Sequence, residues 1–216
     1  IYFKADWQYQ FNANLTKDEP FYLADGSEVS VPMMSNEGTK LRLNYQPDGT
    51  QLLEIPYGNG QFSMVILLPA DESTVANLIN DLSTETLNAW IAEADTLTTH
   101  LMLPKFKTEF KLKLNETLAG MGMELPFTED ANFDALFNEI PGEELYIDRV
   151  IHQSFIEVNE EGSEAAAATA VVISVLSAGA EPQPQVIRVD HPFAYFIREK
   201  HTEAILFTGT MMNPAN

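Results

Sequence analysis

The sequence contains no cysteine, which excludes disulfides and every reaction that depends on a thiolate. Basic residues are also scarce, because 12 lysines and arginines stand against 32 acidic residues and give a net charge of −20. Such a charge repels phosphate backbones and anionic lipid surfaces, so neither nucleic acid nor a membrane is an expected partner. No stretch reaches the ~18 apolar residues that a membrane-spanning helix requires.

Motifs that accompany catalysis are missing as well. The sequence has no G-x-S-x-G, no Walker A loop, no H-E-x-x-H and no complete calcium loop. The histidines do not show metal-ligand spacing, so we predict neither a metal nor another cofactor. Asp148, His152 and Ser154 are close in sequence, but alternation along a strand places three such residues on one face as easily by chance. We therefore predict that the protein is not an enzyme.

Turn signals and apolar runs dominate the first third of the chain. Asp25-Gly26, Asp48-Gly49 and Asn59-Gly60 separate apolar or alternating segments, and these dipeptides are strong hairpin signals because both positions tolerate positive φ. The run "FSMVILLP" over 62–69 is typical of a strand buried on both faces. In contrast, the spacing of apolar residues over 73–94 predicts two short helices that meet at Ser83.

The remaining two thirds alternate between predicted strands and one helix. We predict strands over 97–110 and 144–160, a helix over 112–121, and two strands in 191–214 joined at Glu199 to Thr202. No internal repeat or linker separates these elements. The prediction is one interleaved α+β unit with large antiparallel or mixed sheets and a few short helices.

The segment from Glu160 to Leu176, "EEGSEAAAATAVVISVL", combines two conflicting preferences. Its alanines favour a helix, whereas Gly162 and the later branched residues favour an extended chain. A segment that accepts both conformations suits a conformational switch. When it is threaded as a strand, one face carries no charge at all and consists of Ser163, Ala165, Ala167, Thr169, Val171, Ile173 and Val175.

The hinge "EEGSEAAAAT", the preceding strand "VIHQSFIEVN" and the tail "VDHPFAYFIREKHTEAILFTGTMMNP" together resemble the reactive-centre region and C-terminal signature of the serpins. The opening "IYFKADW" is similar to the end of their third central strand, and "LMLPKFKTEFKLKLNETLAGMGM" to their sixth central strand and the helix after it. The resemblance covers essentially all of 1–216. It points to a bacterial-type member of the family with an inhibitory hinge. It implies that the chain is the C-terminal portion of a single serpin domain. The family's N-terminal helices and several of its strands are then expected upstream of Ile1.

The resemblance implies a suicide-substrate inhibitor of serine endopeptidases. An exposed reactive-centre loop, about residues 160–186, is offered to a protease, and after cleavage the hinge inserts as a new strand into the central sheet and distorts the acyl-enzyme. A non-inhibitory serpin-fold binding or chaperone protein is the alternative, and an unrelated β-rich enzyme or adhesion domain is a second one. The hinge implied by the resemblance consists of Glu160, Glu161, Gly162, Ser163, Glu164, Ala165, Ala166, Ala167, Ala168 and Thr169.

The family's spacing between hinge glutamate and cleaved bond, counted from Glu160, implies cleavage between Leu176 and Ser177. A leucine suits chymotrypsin-like proteases, whereas cleavage at Val175 or Ile173 suits elastase-like ones, and any bond within 173–178 stays an alternative. A cysteine protease is kept as a further target. The resemblance also implies a full-length monomer that is extracellular, periplasmic or in the cell envelope.

Two further residues match functional positions of the family. Trp7 matches the breach tryptophan, which lies where the hinge first inserts. His152 matches a polar switch beneath the sheet opening, and its expected partner is an asparagine two residues before Ile1. Without the resemblance, both side chains would be read as ordinary core residues.

Overall fold

The computed structural model describes residues 1–70, 75–136, 145–163 and 183–215. The chain divides into two compact units, of which the smaller comprises Ile1–Tyr2 and Thr108–Ile156 and the larger comprises Phe3–Lys107 and Glu157–Asn216. The described strands are β1 (Ala5–Asp6), β2 (Lys17–Tyr22), β3 (Glu28–Tyr45), β4 (Gln51–Tyr57), β5 (Phe62–Leu68), β6 (Asp95–Pro104), β7 (Phe106–Lys113), β8 (Ile151–Val158), β9 (Gly162–Ser163), β10 (Gln185–Arg188), β11 (Phe193–Glu199) and β12 (Ile205–Met211). The described α-helices are α1 (Val75–Asp81), α2 (Thr84–Ala92) and α3 (Asn115–Gly120).

The three predicted hairpin turns are confirmed and join β2 to β3, β3 to β4 and β4 to β5. Their glycines have φ values of 81°, 89° and 85°, in the region that favours glycine. In each turn the preceding Asp or Asn accepts a hydrogen bond from the backbone two residues later, as Asp48 Oδ1 does from Thr50 N at 2.9 Å. Local turn chemistry therefore fixes the meander at the start of the larger sheet.

The larger sheet has the order β10-β6-β3-β4-β5-β11-β12, and β2 also pairs with β3. The 18-residue strand β3 changes partners along its length, from β2 to β6 and then to β4. β5 lies between β4 and β11, and every residue from Ser63 to Leu68 is buried, which confirms the predicted two-faced burial. β10 was not predicted, and it pairs in parallel with β6.

One buried cluster of the larger unit forms where α2 packs on this sheet. Both short helices of 73–94 are confirmed, and Ser83 caps α2 by accepting a hydrogen bond from Thr86 N at 3.1 Å. The apolar face of α2 contacts side chains of β4, β5 and β11 that alternate with residues on the opposite face. The buried members of this cluster are Leu52, Val65, Leu67, Leu87, Ile91, Ala94, Ala194 and Phe196.

The second sheet has the order β1-β9-β8-β7. The prediction of one strand over 144–160 is wrong for residues 145–150, because only Ile151–Val158 is a strand. The earlier residues bond to other groups: Val150 O accepts from Leu114 N, Asn115 bonds to Val150 N and Asp148 O, and Ile147 N donates to Pro126 O, all at 2.8 to 3.0 Å. Their backbone groups are therefore not available for a sheet ladder.

Two smaller differences from the predictions concern this part of the chain. The strand predicted over 97–110 is two strands, β6 and β7, interrupted at Lys105, whose N–H donates to Pro32 O at 2.8 Å. The helix predicted over 112–121 is limited to Asn115–Gly120.

The longest described helix, α2, has nine residues, which is about half of what a bilayer requires, and no described helix could span one.

Candidate functional site

The first residues of the hinge segment form a tight turn that one asparagine holds. Asn159 Oδ1 accepts hydrogen bonds from Glu161 N at 3.0 Å and Gly162 N at 3.2 Å. Asn159 N in turn donates to Gly162 O at 3.0 Å. The asparagine side chain substitutes for backbone partners here and accepts from two of the amides in the reversal between β8 and β9.

Strand β9 lies between β1 and β8 and is antiparallel to both. Gly162 pairs with Asp6, and Ser163 pairs with Ala5 on one side and Val158 on the other. A Cβ at Gly162 would lie 2.2 Å from Ala5 O and 2.5 Å from Asp6 Cα. Only glycine allows the two backbones to approach this closely, so Gly162 of the hinge determines where β9 pairs with β1.

Trp7 packs against the same turn. Its indole is 2% exposed and stacks on the Tyr57 ring with centroids 4.3 Å apart and an interplanar angle of 11°. Trp7 Nε1 donates to Asn159 O at 2.9 Å, and Trp7 N donates to Glu161 O at 2.7 Å. Trp7 thus contributes both an apolar wall and two hydrogen bonds to the base of the hinge.

Tyr57 and Ser163 form a buried polar contact beneath β9. The two hydroxyl oxygens are 2.8 Å apart, and the residues are 1% and 0% exposed. Burial raises the pKa of the Tyr57 phenol, so this group stays neutral and able to donate. Loss of either hydroxyl would leave the other without its partner in an apolar environment.

Glu160 anchors the outer side of the turn. Its carboxylate lies 2.7 Å from Lys105 Nζ and accepts a 2.7 Å hydrogen bond from Thr16 Oγ1, while its carbonyl accepts from Phe11 N at 2.9 Å. Burial by itself would raise the pKa of Glu160, but the hydrogen bonds from Lys105 and Thr16 and the charge of Lys105 hold it below the ordinary value. These contacts therefore hold Glu160, the first residue of the hinge, in place.

His152 lies in β8 and belongs to the smaller unit. Its ring packs against Phe110 with centroids 6.3 Å apart and an interplanar angle of 61°. Asp148 precedes β8 in the segment that is not a strand, and its carboxylate pairs with Arg149 at 2.6 Å. Asp148 therefore does not share a strand face with His152 and Ser154.

The structure brings together Trp7 and the hinge residues Glu160, Glu161, Gly162 and Ser163. The hinge positions Glu164 to Thr169 and the cleavage positions Leu176 and Ser177 lie outside the described residues. Within the described ranges, no three acidic or histidine side chains gather as a metal site.

Sequence reasoning missed several partners of the hinge, among them Asn159, Tyr57, Lys105 and Thr16. Asn159 had a usable local signal, since an asparagine three residues before Gly162 favours an Asx turn. Lys105 had a weaker one, because it is one of few cations in an acidic chain and follows the apolar run "LMLP". Tyr57 and Thr16 are brought to the hinge by tertiary packing alone.

The chain matches a family model described as "Serpin (serine protease inhibitor)" over residues 1–214. The chain belongs to the serpin family. Among curated serpin relatives, it is 40% identical to Serpin-ZX of Hordeum vulgare, covering 99% of this chain and 55% of the relative. It is 41% identical to the leukocyte elastase inhibitor of Xenopus tropicalis, with coverages of 99% and 56%.

Solved serpin structures share the fold. The crystal structure of native protease nexin-1 with heparin superposes with a TM-score of 0.81 at 30% identity and covers 99% of this chain and 55% of that one. The serpin resemblance and the serpin fold are thus confirmed, and the alternative of an unrelated β-rich domain is wrong. The chain spans about half the length of the curated relatives it matches. Serpins are mostly protease inhibitors rather than enzymes, and their targets are in general serine proteases.

Proposed function

We propose that the protein is a suicide-substrate inhibitor of chymotrypsin- or elastase-like serine endopeptidases. The protease serine oxygen bonds to the carbonyl carbon of Leu176, the bond to Ser177 nitrogen breaks, and that nitrogen leaves with a proton as a free amine. The ester that remains joins Leu176 to the protease. Insertion of the severed hinge as a strand then moves and distorts the protease before water hydrolyses the ester.

The observation that carries this proposal is the position of β9 between β1 and β8. β9 is antiparallel to both neighbours, so a longer β9 would continue between them in the same direction. Ser163 is fully buried and points towards Tyr57, which sets the phase of that strand. Alternation then places Ala165, Ala167 and Thr169 on the buried side, where small neutral side chains enter most easily.

The later residues of the same face supply a driving force. Burying Val171, Ile173 and Val175 contributes about 1.5–3 kcal/mol each by the usual value for such side chains. Backbone hydrogen bonds of the inserted strand roughly offset the entropy of ordering it, since each bond contributes about 0.5–1.5 kcal/mol and each residue costs about 1–2 kcal/mol. A metastable uncleaved state supplies the rest, because strain stored there is released on insertion.

The protease class follows from the side chain at the cleaved bond. Leucine fits the apolar primary pocket of chymotrypsin-like enzymes, and the neighbouring Val175 and Ile173 fit the smaller pocket of elastase-like ones. One relative is named a leukocyte elastase inhibitor, which agrees with this class. An extracellular or cell-envelope location and a monomeric full-length form belong to the same proposal.

The direct test mixes the intact protein with chymotrypsin, with elastase and with trypsin. We expect a complex with chymotrypsin or elastase that survives boiling in detergent and has the summed mass less the released C-terminal peptide. Trypsin should give no complex, because Leu176 does not enter a pocket built for basic residues. Rapid cleavage by both chymotrypsin and elastase without a complex would contradict inhibition.

Two arginine substitutions test the face assignment. Thr169→Arg would place a charge on the buried side of the inserting strand, and an unpaired buried charge strongly opposes insertion. We expect this variant to be cleaved as an ordinary substrate. Ala168→Arg is the matched control, because its side chain faces the other side of the strand and should leave complex formation intact. Equal effects of both substitutions would contradict the phase set by Ser163.

The alternative of a non-inhibitory binding or chaperone protein gives a different thermal signature. Insertion adds a strand to the sheet, so the inhibitor should unfold at a markedly higher temperature after the loop is cleaved. A non-inhibitory relative should show the same unfolding temperature before and after cleavage. Calorimetry of both samples separates the two functions without reference to the identity of the protease.

A further inference from the structure

The larger unit contains a cavity of about 340 Å³ that is remote in sequence from the hinge. It lies between the helices α1 and α2 and the turn that joins β3 to β4. This volume falls within the ~300–1,000 Å³ of small-molecule sites in proteins. The residues that decide its chemistry are Asp48, Asn77, Leu78, Asp81, Leu82 and Trp90.

Three of these residues make an apolar floor. Leu78, Leu82 and Trp90 pack with one side against the buried core cluster beneath α2, and all three are only partly buried. Their other sides line the cavity. Partly buried apolar surface in a concave site favours a ligand with an apolar body, because binding removes that surface from water.

Two carboxylates lie at the same cavity. Asp48 stands in the β3–β4 turn, where its Oδ1 accepts from Thr50 N at 2.9 Å, which holds the side chain in place. The turn itself is tightly seated, because a Cβ at Gly49 would lie 2.8 Å from Ala70 Cβ. Asp81 is the last residue of α1 and no basic residue occupies the final turn, so its charge adds to that of the helix C-terminus.

The lining residues within the described chain include these two carboxylates and no lysine or arginine. The positive charge of a bound cation would therefore complement these two carboxylates. We propose that this cavity binds a small organic cation, an ammonium or guanidinium group joined to an aromatic or branched apolar body. The charged group lies between Asp48 and Asp81, and the body lies on Leu78, Leu82 and Trp90. The site does not depend on the inhibitor proposal.

The test uses the intact protein labelled with 5-fluorotryptophan and 4-phenylbutylamine as the probe. The resonance of Trp90 is identified by its loss in Trp90→Phe. We expect saturable shifts of this resonance with the amine and a fixed resonance for Trp7, which is buried elsewhere. The charge-reversed analogue 4-phenylbutyrate should give no saturable shift, because both carboxylates repel it.

Variants separate the proposed site from the general attraction of an acidic protein for cations. The double variant Asp48→Asn/Asp81→Asn should bind the amine about tenfold more weakly, as expected for two charges at a partly exposed site. Glu28→Gln removes an exposed charge that does not line the cavity and should change nothing. Asn77→Arg, which places a guanidinium in the cavity, should abolish binding while the circular dichroism spectrum stays unchanged.

Several results would overturn this inference. Equal shifts with phenylbutyrate would show that charge plays no part. Parallel shifts of Trp7 and Trp90 would indicate a general change in the fold. Equal weakening by Glu28→Gln and the double variant would assign the effect to net charge alone. Each of these results leaves the inhibitor proposal unaffected, because none concerns the hinge.

Discussion

Trp7 and His152 were both assigned to functional positions by family resemblance, yet their surroundings differ. Trp7 stacks on Tyr57, bonds to two carbonyls of the hinge turn and is 2% exposed. His152 is half-buried, packs against Phe110, which is itself 49% exposed, and lies in the same strand as Ile151, which is 51% exposed. Contacts within the chain fix Trp7 in place, whereas His152 lies beside solvent-exposed side chains of its own unit. The difference shows that two residues assigned by the same family resemblance need not have the same degree of structural support.

The largest expected effect that tests this comparison comes from Trp7→Ala. Removing a fully buried aromatic side chain typically costs about 3–5 kcal/mol, because the cavity collapses only in part. We expect a loss of this size in the free energy of unfolding of the intact protein, measured by urea titration. Tyr9→Ala is the control, because Tyr9 is 42% exposed and its loss should have little effect. Similar losses for both variants would contradict the special support of Trp7.

Tyr57→Phe gives the next largest effect. It leaves the Ser163 hydroxyl buried without its partner, which costs about 1–3 kcal/mol, whereas Tyr45→Phe at a 47% exposed position should be nearly neutral. Adding Ser163→Ala to Tyr57→Phe should recover part of the loss, since both partners are then absent. A double-mutant cycle by urea titration measures this coupling, and strict additivity would show that the two hydroxyls do not interact.

A smaller effect, dependent on pH, is expected at the Lys105–Glu160 pair. Because the pKa of Glu160 is lower in the folded state, its stabilisation is present above the unfolded value of about 4.3 and is lost as the pH falls through the folded value. Lys105→Met should therefore cost about 1 kcal/mol at neutral pH, in the range of partly exposed pairs, and less once the pH has fallen through the folded pKa of Glu160.

Urea titrations at several pH values check this dependence, with Lys17→Met as an exposed lysine control. The cost of Lys17→Met should stay near zero at each pH. A cost of Lys105→Met that does not change between neutral and acidic pH would show that the pair contributes through packing of the lysine chain rather than through its charge.

His152→Ala should have the smallest effect, below about 1 kcal/mol, because the described contact of the ring is an edge-on packing with one partly exposed phenylalanine. Calorimetry of the intact protein measures it. A loss as large as that of Trp7→Ala would remove the distinction between the two residues and would favour the polar switch that the family resemblance predicts.

Local chemistry made part of this fold predictable from the sequence. The Asp-Gly and Asn-Gly turns and the helical period before and after Ser83 each depend on neighbouring residues, and all of them are confirmed. Residues 145–150 have the composition of a strand, but Asn115 and the backbone near it take up their hydrogen-bonding groups. That competition depends on residues about thirty positions away, which no local pattern reveals.

The candidate site likewise contains residues that the sequence identifies and residues that only the structure identifies. Gly162 and Ser163 were identified within the hinge motif, and the resemblance added Trp7. The hydroxyl contact of Ser163 with Tyr57 joins residues 106 positions apart, and its existence depends on how β4 and β9 pack. Short-range patterns therefore identified the hinge, while the groups that hold it could be seen only in three dimensions.

The close approach of Gly162 to β1 has a consequence for how this loop can evolve. Since the glycine fixes where β9 begins, its position would also decide which face each later side chain takes if β9 is extended as we propose. In the inserted strand that we propose, an odd number of residues inserted or deleted between Ser163 and the proposed cleavage site would exchange the two faces for everything beyond it, whereas an even number would preserve them. Functional length variants in this stretch should consequently differ in steps of two.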